Sequence, residues 1–274
     1  MIRMEHVSFA YSDQGPTVQD VSFHVEKGEF AAILGANGAG KTTTVRLVDG
    51  LIKPTSGRVL IHGADTATSP VSERARRVGF LFQNPDRQIC KNTVREEILF
   101  GLKAVRSGEN EEALDARCRE VLEDFGFSGE EDPFSLSRGQ RQRVALASIL
   151  AVEPEVLILD EPTTGLDYLE CCHIMDRIRQ MNREQQVTVI MVCHDMEVVL
   201  DYADRALVMA GGRLLADGPV KDIFRNTELM EEASILPPQM IGLSLRLGEG
   251  FEHASTPEEI AEAAVLRKGG ARHE

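Results

Sequence analysis

One stretch of nine residues, 35–43, constrains the fold of this chain more than any other part of the sequence. It matches the pattern G-x-x-x-x-G-K-[ST], with Gly35, Gly40, Lys41 and Thr42 at the fixed positions. An apolar run directly before the loop predicts a buried strand, and the residues directly after it predict a helix. The sequence therefore predicts a strand, a glycine-rich loop and a helix in succession.

The residue types of this loop suit the binding of a polyphosphate. Backbone N–H groups can wrap phosphates only where the main chain comes close and adopts positive φ, which glycine permits. The following helix adds unpaired N–H groups and the positive end of its dipole. We expect Lys41 to reach the β- and γ-phosphates and the Thr42 hydroxyl to bind Mg²⁺. A glycine-rich turn that merely carries a lysine is the alternative, but the full motif in this context favours phosphate binding. The loop residues assigned to the nucleotide are Gly35, Asn37, Gly38, Ala39, Gly40, Lys41, Thr42 and Thr43.

The remaining pattern predicts a mixed α/β fold. Apolar/polar alternation in residues 2–11 and 18–26 predicts an antiparallel layer with a turn at 13–16. Apolar runs then alternate with helical patterns, which is typical of a mostly parallel, doubly wound sheet. The runs predicted as strands of this sheet are 31–34, 78–82, 156–159, 187–192 and 205–209.

A helical stretch interrupts this alternation. We expect residues 1–225 to form one nucleotide-binding domain, with a helical subdomain inserted at about 86–152 and a C-terminal helical extension at 226–274. The last helix has clear end signals: Thr256 as N-cap with Pro257 and Glu259 in its first turn, and Gly269 directly after it.

Polar side chains follow three of the predicted strands. Asp160 and Glu161 come directly after one strand, His194 follows the next, and Gln83 ends another. Because the carboxyl ends of parallel strands meet at one edge of a sheet, we expect these side chains near the phosphate loop. Asp160 could then hold the Mg²⁺ that Thr42 binds, while the second carboxylate acts on an attacking water. Two acids after a strand more often cap a helix, but the phosphate loop reverses that preference.

The overall composition limits the classes of partner. The chain has 30 basic and 44 acidic residues, giving a formal net charge of −14, and we expect no nucleic-acid partner. No apolar run approaches the length of a membrane span, so we expect any membrane role to be peripheral.

Taken together, these motifs resemble the ATP-binding cassette (ABC) ATPase family in order and spacing. The resemblance covers residues 1 to about 225, and its most specific part is the Leu-Ser-x-Gly-Gln sequence, which other phosphate-loop proteins lack. The matching positions are residues 35–43, Gln83, residues 136–140, Asp160, Glu161, residues 165–167 and His194.

The resemblance implies a head-to-tail dimer in which two ATP molecules lie between one subunit's phosphate loop and the other's Leu-Ser-x-Gly-Gln sequence. A single cassette therefore needs a second one, in a homodimer or a heterodimer. Arg138 stands where the family usually has glycine. This departure favours a pair of slightly different subunits with one weaker site.

The same resemblance implies a role for each site residue. Tyr11 would stack on adenine, Gln83 would sense the nucleotide and couple it to a membrane partner, and His194 would hold the γ-phosphate. Lys41 would bind phosphate and Glu161 would act on the water. The residues implied at the dimer interface, completing the neighbour's site, are Ser137, Gly139, Gln140 and Asp167.

Two shorter stretches are similar to the energy-coupling-factor (ECF) branch of the family. They are residues 82–88, Phe-Gln-Asn-Pro-Asp-Arg-Gln, and residues 236–239, Leu-Pro-Pro-Gln. That branch powers uptake of vitamins and metal ions, so the resemblance implies a peripheral subunit on the cytoplasmic face of the cell membrane. Its partners would be a transmembrane scaffold subunit and a substrate-binding membrane subunit.

Three alternatives stay open at this point. The chain could serve another ABC importer or an exporter, with different membrane subunits. It could be a soluble ABC protein acting on DNA or ribosomes, which its acidic charge and single cassette disfavour. It could bind nucleotide without turnover, which the presence of Lys41, Asp160, Glu161 and His194 disfavours.

Overall fold

The chain alternates between strands and helices through most of its length. The computed structural model describes residues 1–12, 15–251 and 253–270. Its elements are, in chain order, β1 (Ile2–Ala10), β2 (Pro16–Val25), β3 (Phe30–Leu34), α1 (Lys41–Asp49), β4 (Ser56–Ile61), β5 (Ala64–Asp65), α2 (Val71–Ala75), β6 (Val78–Leu81), α3 (Val94–Val105), α4 (Glu111–Phe125), α5 (Arg138–Leu150), β7 (Val156–Asp160), α6 (Tyr168–Gln185), β8 (Thr188–Val192), α7 (Met196–Tyr202), β9 (Arg205–Ala210), β10 (Arg213–Pro219), α8 (Val220–Arg225), α9 (Thr227–Glu232), α10 (Gln239–Leu247) and α11 (Pro257–Gly270).

Two sheets organise these elements. The larger has the strand order β10-β9-β3-β8-β7-β6, and all of its pairs are parallel except β9 with β10. The smaller has the order β2-β1-β4-β5 and is antiparallel. The predicted parallel sheet and antiparallel layer are thus confirmed, whereas Asp13 and Gln14 of the predicted turn lie outside the described residues.

The central strand β3 separates two cores. Because successive side chains of a strand point to opposite faces, Phe30, Ala32 and Leu34 join one core while Ala31 and Ile33 join the other. The first core contains side chains of α5, α6 and the helices that follow, and the second contains those of α1 and the antiparallel sheet. All five β3 residues are fully buried, so this strand is a rigid support for the loop that follows it.

A third core lies among α3, α4 and α5. Ile98 and Leu102 of α3, Val121 of α4 and Val144 of α5 are buried together there. The opposite face of α5 packs Leu146 and its neighbours into the core against the central sheet. Helix α5 is therefore shared between the helical block and the sheet.

The structure differs from the sequence prediction at a few places. Strands β5 and β10 were not predicted. The last helix continues to Gly270, so the prediction that Gly269 follows its end is wrong. The N-terminal signal of that helix is confirmed: the Glu259 N–H donates to Thr256 Oγ1 and the Thr256 N–H donates to Glu259 Oε2, both at 3.2 Å. None of the helices in the described ranges has the length and apolarity needed to cross a membrane.

Candidate functional site

The glycine-rich loop connects β3 to α1, and its backbone requires glycine at both ends. Gly40 is the N-cap of α1 with φ 101°, and Gly35 has φ 146°. A Cβ at Gly35 would lie 2.2 Å from the carbonyl oxygen of Met209, and one at Gly40 would lie 2.8 Å from that of Thr17. Side chains at these positions would therefore meet the backbone of neighbouring strands. Gly40 makes no side-chain hydrogen bond to the first turn of α1, so N–H groups of that turn are available to an anion.

Lys41 is the buried cation of the loop. Its Nζ donates hydrogen bonds to the carbonyl oxygens of Gly35, at 2.8 Å, and Ala36, at 2.9 Å. Burial lowers the pKa of Lys41, while the negative charges of Glu161 and Asp160 act in the opposite direction. The loop therefore holds its positive charge at a fixed place, close to two carboxylates.

Thr42 and Asp160 join the loop to the end of β7. The Thr42 hydroxyl donates to Asp160 Oδ1 at 3.1 Å, and Asp160 is almost fully buried. Burial raises the pKa of Asp160, and the hydrogen bond from Thr42 lowers it. Gln83 lines the adjoining cleft. The Thr42 hydroxyl, the Asp160 carboxylate and the Gln83 amide oxygen are the kind of ligand that Mg²⁺ prefers, so these residues fit that ion.

Glu161 and His194 meet where β7 and β8 end. Glu161 Oε1 lies 3.1 Å from His194 Nε2, and Glu161 Oε2 accepts a hydrogen bond from Thr164 Oγ1 at 3.2 Å. Glu161 has φ 56°, a left-handed conformation that is rare for a residue with a side chain. Such outliers persist only where the surrounding structure holds them in place, and they cluster at functional sites.

These groups surround one cleft of about 260 Å³. Its lining contains nine of the predicted site residues and Thr17, which was not predicted. The lining residues are Thr17, Asn37, Gly38, Gly40, Lys41, Thr42, Thr43, Gln83, Glu161 and His194. Gly35 and Ala39 are buried in the loop beside the cleft.

Besides Gly35, Ala39 and Asp160, five predicted residues lie outside this lining. Tyr11 is 37% exposed beyond the end of β1 and packs edge-on against Phe9, with ring centroids 4.8 Å apart. The other four are at the starts of α5 and α6 and belong to helix caps or to the first turn. They are Ser137, Gly139, Gln140 and Asp167.

The loop before α6 packs closely against the start of α5. A Cβ at Gly139 would lie 2.6 Å from the carbonyl oxygen of Gly165, so the glycine permits this contact. The Arg138 side chain packs beside Gly165 as well, with its Cγ and Cδ 3.5 Å from where a Cβ at that glycine would be. Ser137 and Gln140 form a capping box that fixes the start of α5.

This contact predicts a loss of stability for Gly139→Ala. The new methyl group would have to displace the backbone of Gly165, which typically costs about 1–3 kcal/mol, and we expect the unfolding midpoint to fall by about 2–4 °C per kcal/mol. Gly108→Ala is the matched control, because a Cβ there meets no atom within 4 Å. Calorimetry that gives both variants the same midpoint would contradict this steric account.

Known proteins are similar to this chain in sequence and in fold. TTE1589 of Caldanaerobacter subterraneus subsp. tengcongensis, a candidate ABC transporter ATP-binding protein, is 43% identical over 92% of this chain. This chain spans only 44% of that relative's length. The energy-coupling factor transporter ATP-binding protein EcfA of Methanothermobacter thermautotrophicus is 39% identical over 92% of this chain and 82% of its own length.

Solved structures of ABC cassettes have a similar fold. The ATP-binding cassette MJ0796, in a dimeric post-hydrolysis state bound to ADP and Pi, superposes with a TM-score of 0.74 at 28% identity, over 80% of this chain and 99% of that one. The structure of cbiO1 from Clostridium perfringens, part of the ABC transporter complex cbiONQ, superposes with a TM-score of 0.72 at 34% identity, over 84% and 92%. The ABC transporter family matches residues 18–164, more than half of the sequence. The chain therefore belongs to the ABC transporter ATP-binding family.

Proposed function

We propose that this chain is the ATP-hydrolysing energy-coupling subunit of a membrane importer of the ECF type, which takes up a vitamin or a transition-metal ion. The observation that carries the proposal is the cleft in which Glu161 and His194 face the loop of Lys41. The similarity to EcfA and to cbiO1 supports the ECF assignment.

The proposed roles follow from the chemistry of the cleft. Backbone N–H groups of the loop and the Lys41 ammonium bind the phosphates of ATP. Thr42, Asp160 and Gln83 hold Mg²⁺, which neutralises charge on the phosphate oxygens when it is bound. Glu161 orients the attacking water and accepts its proton.

His194 has two contacts to make in this scheme. Its Nε2 lies 3.1 Å from Glu161 Oε1 and lines the same cleft, so one ring can orient the carboxylate and contact the γ-phosphate. Phosphoryl transfer requires position and charge compensation more than covalent chemistry from the protein, and this arrangement supplies both.

The remaining predicted residues act in a dimer of cassettes. Because Ser137, Gly139, Gln140 and Asp167 lie outside the cleft, we propose that they complete the site of a second cassette. Tyr11, which is exposed beyond the end of β1, stacks on the adenine. Arg138, exposed beside Gly139, favours a heterodimer with unequal sites.

The proposed function also assigns domains to the chain and partners to the dimer. Residues 1–225 form the ATPase domain with the helical subdomain of about 86–152, and residues 226–274 form an extension. The dimer binds a transmembrane scaffold subunit and a substrate-binding membrane subunit at the cytoplasmic face of the membrane, and the transported substrate is selected there. Nucleic acid is not among the proposed partners.

A pull-down from native membranes in mild detergent tests the assembly. We expect the tagged chain to bring along one membrane scaffold, a second cassette ATPase and a small hydrophobic binding protein, all identified by mass spectrometry. The cargo would then follow from the binding protein. Recovery of two similar permeases would assign the chain to another transporter class, and recovery of ribosomes or DNA would refute the transport function.

A further inference from the structure

One buried side chain contacts the backbone beside the proposed catalytic carboxylate. Gln142 of α5 is 1% exposed, and its Nε2 donates to the carbonyl oxygens of Glu161, at 3.4 Å, and Pro162, at 3.3 Å. The two hydrogens of one amide group thus serve two consecutive carbonyls. No other described side chain is recorded with hydrogen bonds to both of these oxygens.

The backbone that Gln142 contacts has an unfavourable conformation. Glu161 has φ 56°, and the proline that follows narrows its allowed conformations further. The Glu161 N–H is held separately, by the carbonyl oxygen of Val192 at 2.9 Å. The Glu161 carbonyl oxygen accepts from the Thr164 N–H at 3.3 Å as well, within the same loop. Gln142 therefore adds a restraint on this carbonyl from a separate element, α5.

The oxygen of the Gln142 amide makes this arrangement energetically unfavourable in one respect. Its Oε1 is buried and has no hydrogen-bond partner among the described residues. An unpaired buried polar atom is unfavourable, so an apolar side chain of the same size would satisfy the packing of α5 better. The amide is explained by the two hydrogen bonds that it donates.

We propose that Gln142 is a positioning residue for ATP hydrolysis. It holds the carbonyls of Glu161 and Pro162, and thereby keeps Glu161 in the left-handed conformation that directs its carboxylate to His194. Gln142 does not line the cleft, so it acts on the reaction only through Glu161. This inference rests on the proposed ATPase function.

Two variants of nearly the same size test the hydrogen bonds. Gln142→Met keeps the length of the side chain but donates nothing, and Gln142→Glu directs carboxylate oxygens at two carbonyls. We expect kcat to fall by about 10- to 100-fold in Gln142→Met and further in Gln142→Glu at pH 8, since small displacements of a reacting group can cost that much. The Kd for ATP should change by less than about threefold, because the phosphate loop is untouched.

Ser148→Ala is the matched control. Ser148 is also a buried polar residue of α5, and its Oγ donates to the carbonyl oxygen of Ala145 at 2.8 Å, away from Glu161. We expect this variant to keep kcat within about twofold. A kcat of Gln142→Met that equals that of the control, or an equal loss in all three variants, would overturn the proposal.

Hydrogen–deuterium exchange makes the test independent of turnover. We expect peptides that contain Glu161 to exchange at least about fivefold faster in Gln142→Met than in Ser148→Ala, since the restraint that α5 places on the Glu161 and Pro162 carbonyls is lost. Equal exchange would overturn the positioning role. If the wild-type chain hydrolyses no ATP with its partners present, the proposed function fails, and the exchange experiment alone decides the role of Gln142.

Discussion

Replacing Glu161 by glutamine is expected to abolish most ATP hydrolysis while ATP still binds. The substitution keeps the size of the side chain and an oxygen that can accept from Thr164, but it removes the group that takes a proton from water. General-base catalysis contributes about 10²–10⁴-fold to a rate, so we expect kcat to fall by at least about 100-fold. Nucleotide binding should persist, because Lys41 and the loop N–H groups are unchanged.

Steady-state hydrolysis and fluorescent-nucleotide titration measure these two properties separately. Glu153→Gln is the matched control, since the backbone of Glu153 also has a left-handed conformation, with φ 53°. It forms ion pairs with Arg106 and Arg117, outside the cleft lining, and its replacement should leave turnover within about twofold. Unchanged hydrolysis in Glu161→Gln would remove Glu161 from its proposed role.

Replacing Lys41 by methionine is expected to weaken ATP binding itself. Methionine fills nearly the same volume but supplies no charge and no hydrogen-bond donor. Loss of one partner from a buried charged pair costs about 2–5 kcal/mol, so the Kd for ATP should rise by at least about 30-fold. The fold should be retained, because the two lost hydrogen bonds to Gly35 and Ala36 are offset by removal of a buried charge.

Isothermal titration with ATP and calorimetric unfolding check both parts of this expectation. Lys91→Met is the control: Lys91 lies over the Phe100 ring, 4.1 Å from its centroid, and does not line the cleft. A Lys41→Met chain that binds ATP as tightly as this control would show that the loop does not hold phosphate through its lysine.

The sequence was most informative where one motif determined both conformation and chemistry. Residues 35–43 could be placed between a strand and a helix because glycine, lysine and threonine at that spacing are typical of a phosphate-binding loop. The meeting of Glu161 and His194 could also be predicted, because both follow parallel strands. Their pairing at 3.1 Å and the left-handed backbone of Glu161 depend on tertiary contacts that no local pattern contains.

There are also physical reasons why one strand and two residues were not predicted from the sequence. Strand β10 is an edge strand with mixed burial and ends in glycine and proline, so it has neither apolar alternation nor β propensity. Thr17 approaches the loop through its carbonyl oxygen, which every residue type has. Gln142 was missed because a glutamine in a helix is usually exposed. The unbroken apolar run 144–147 directly after it was the available signal that this part of α5 is buried on more than one face.

Helix α5 has a further consequence for how the chain loses its structure. Its Val144 and Ala147 belong to the core of the helical block, while Leu146 and Ile149 belong to the core against the central sheet. Neither core can be solvated without removing packing atoms from the other. Melting of the helical block should therefore be cooperative with melting of the sheet, so damage to either one lowers the resistance of both to denaturation.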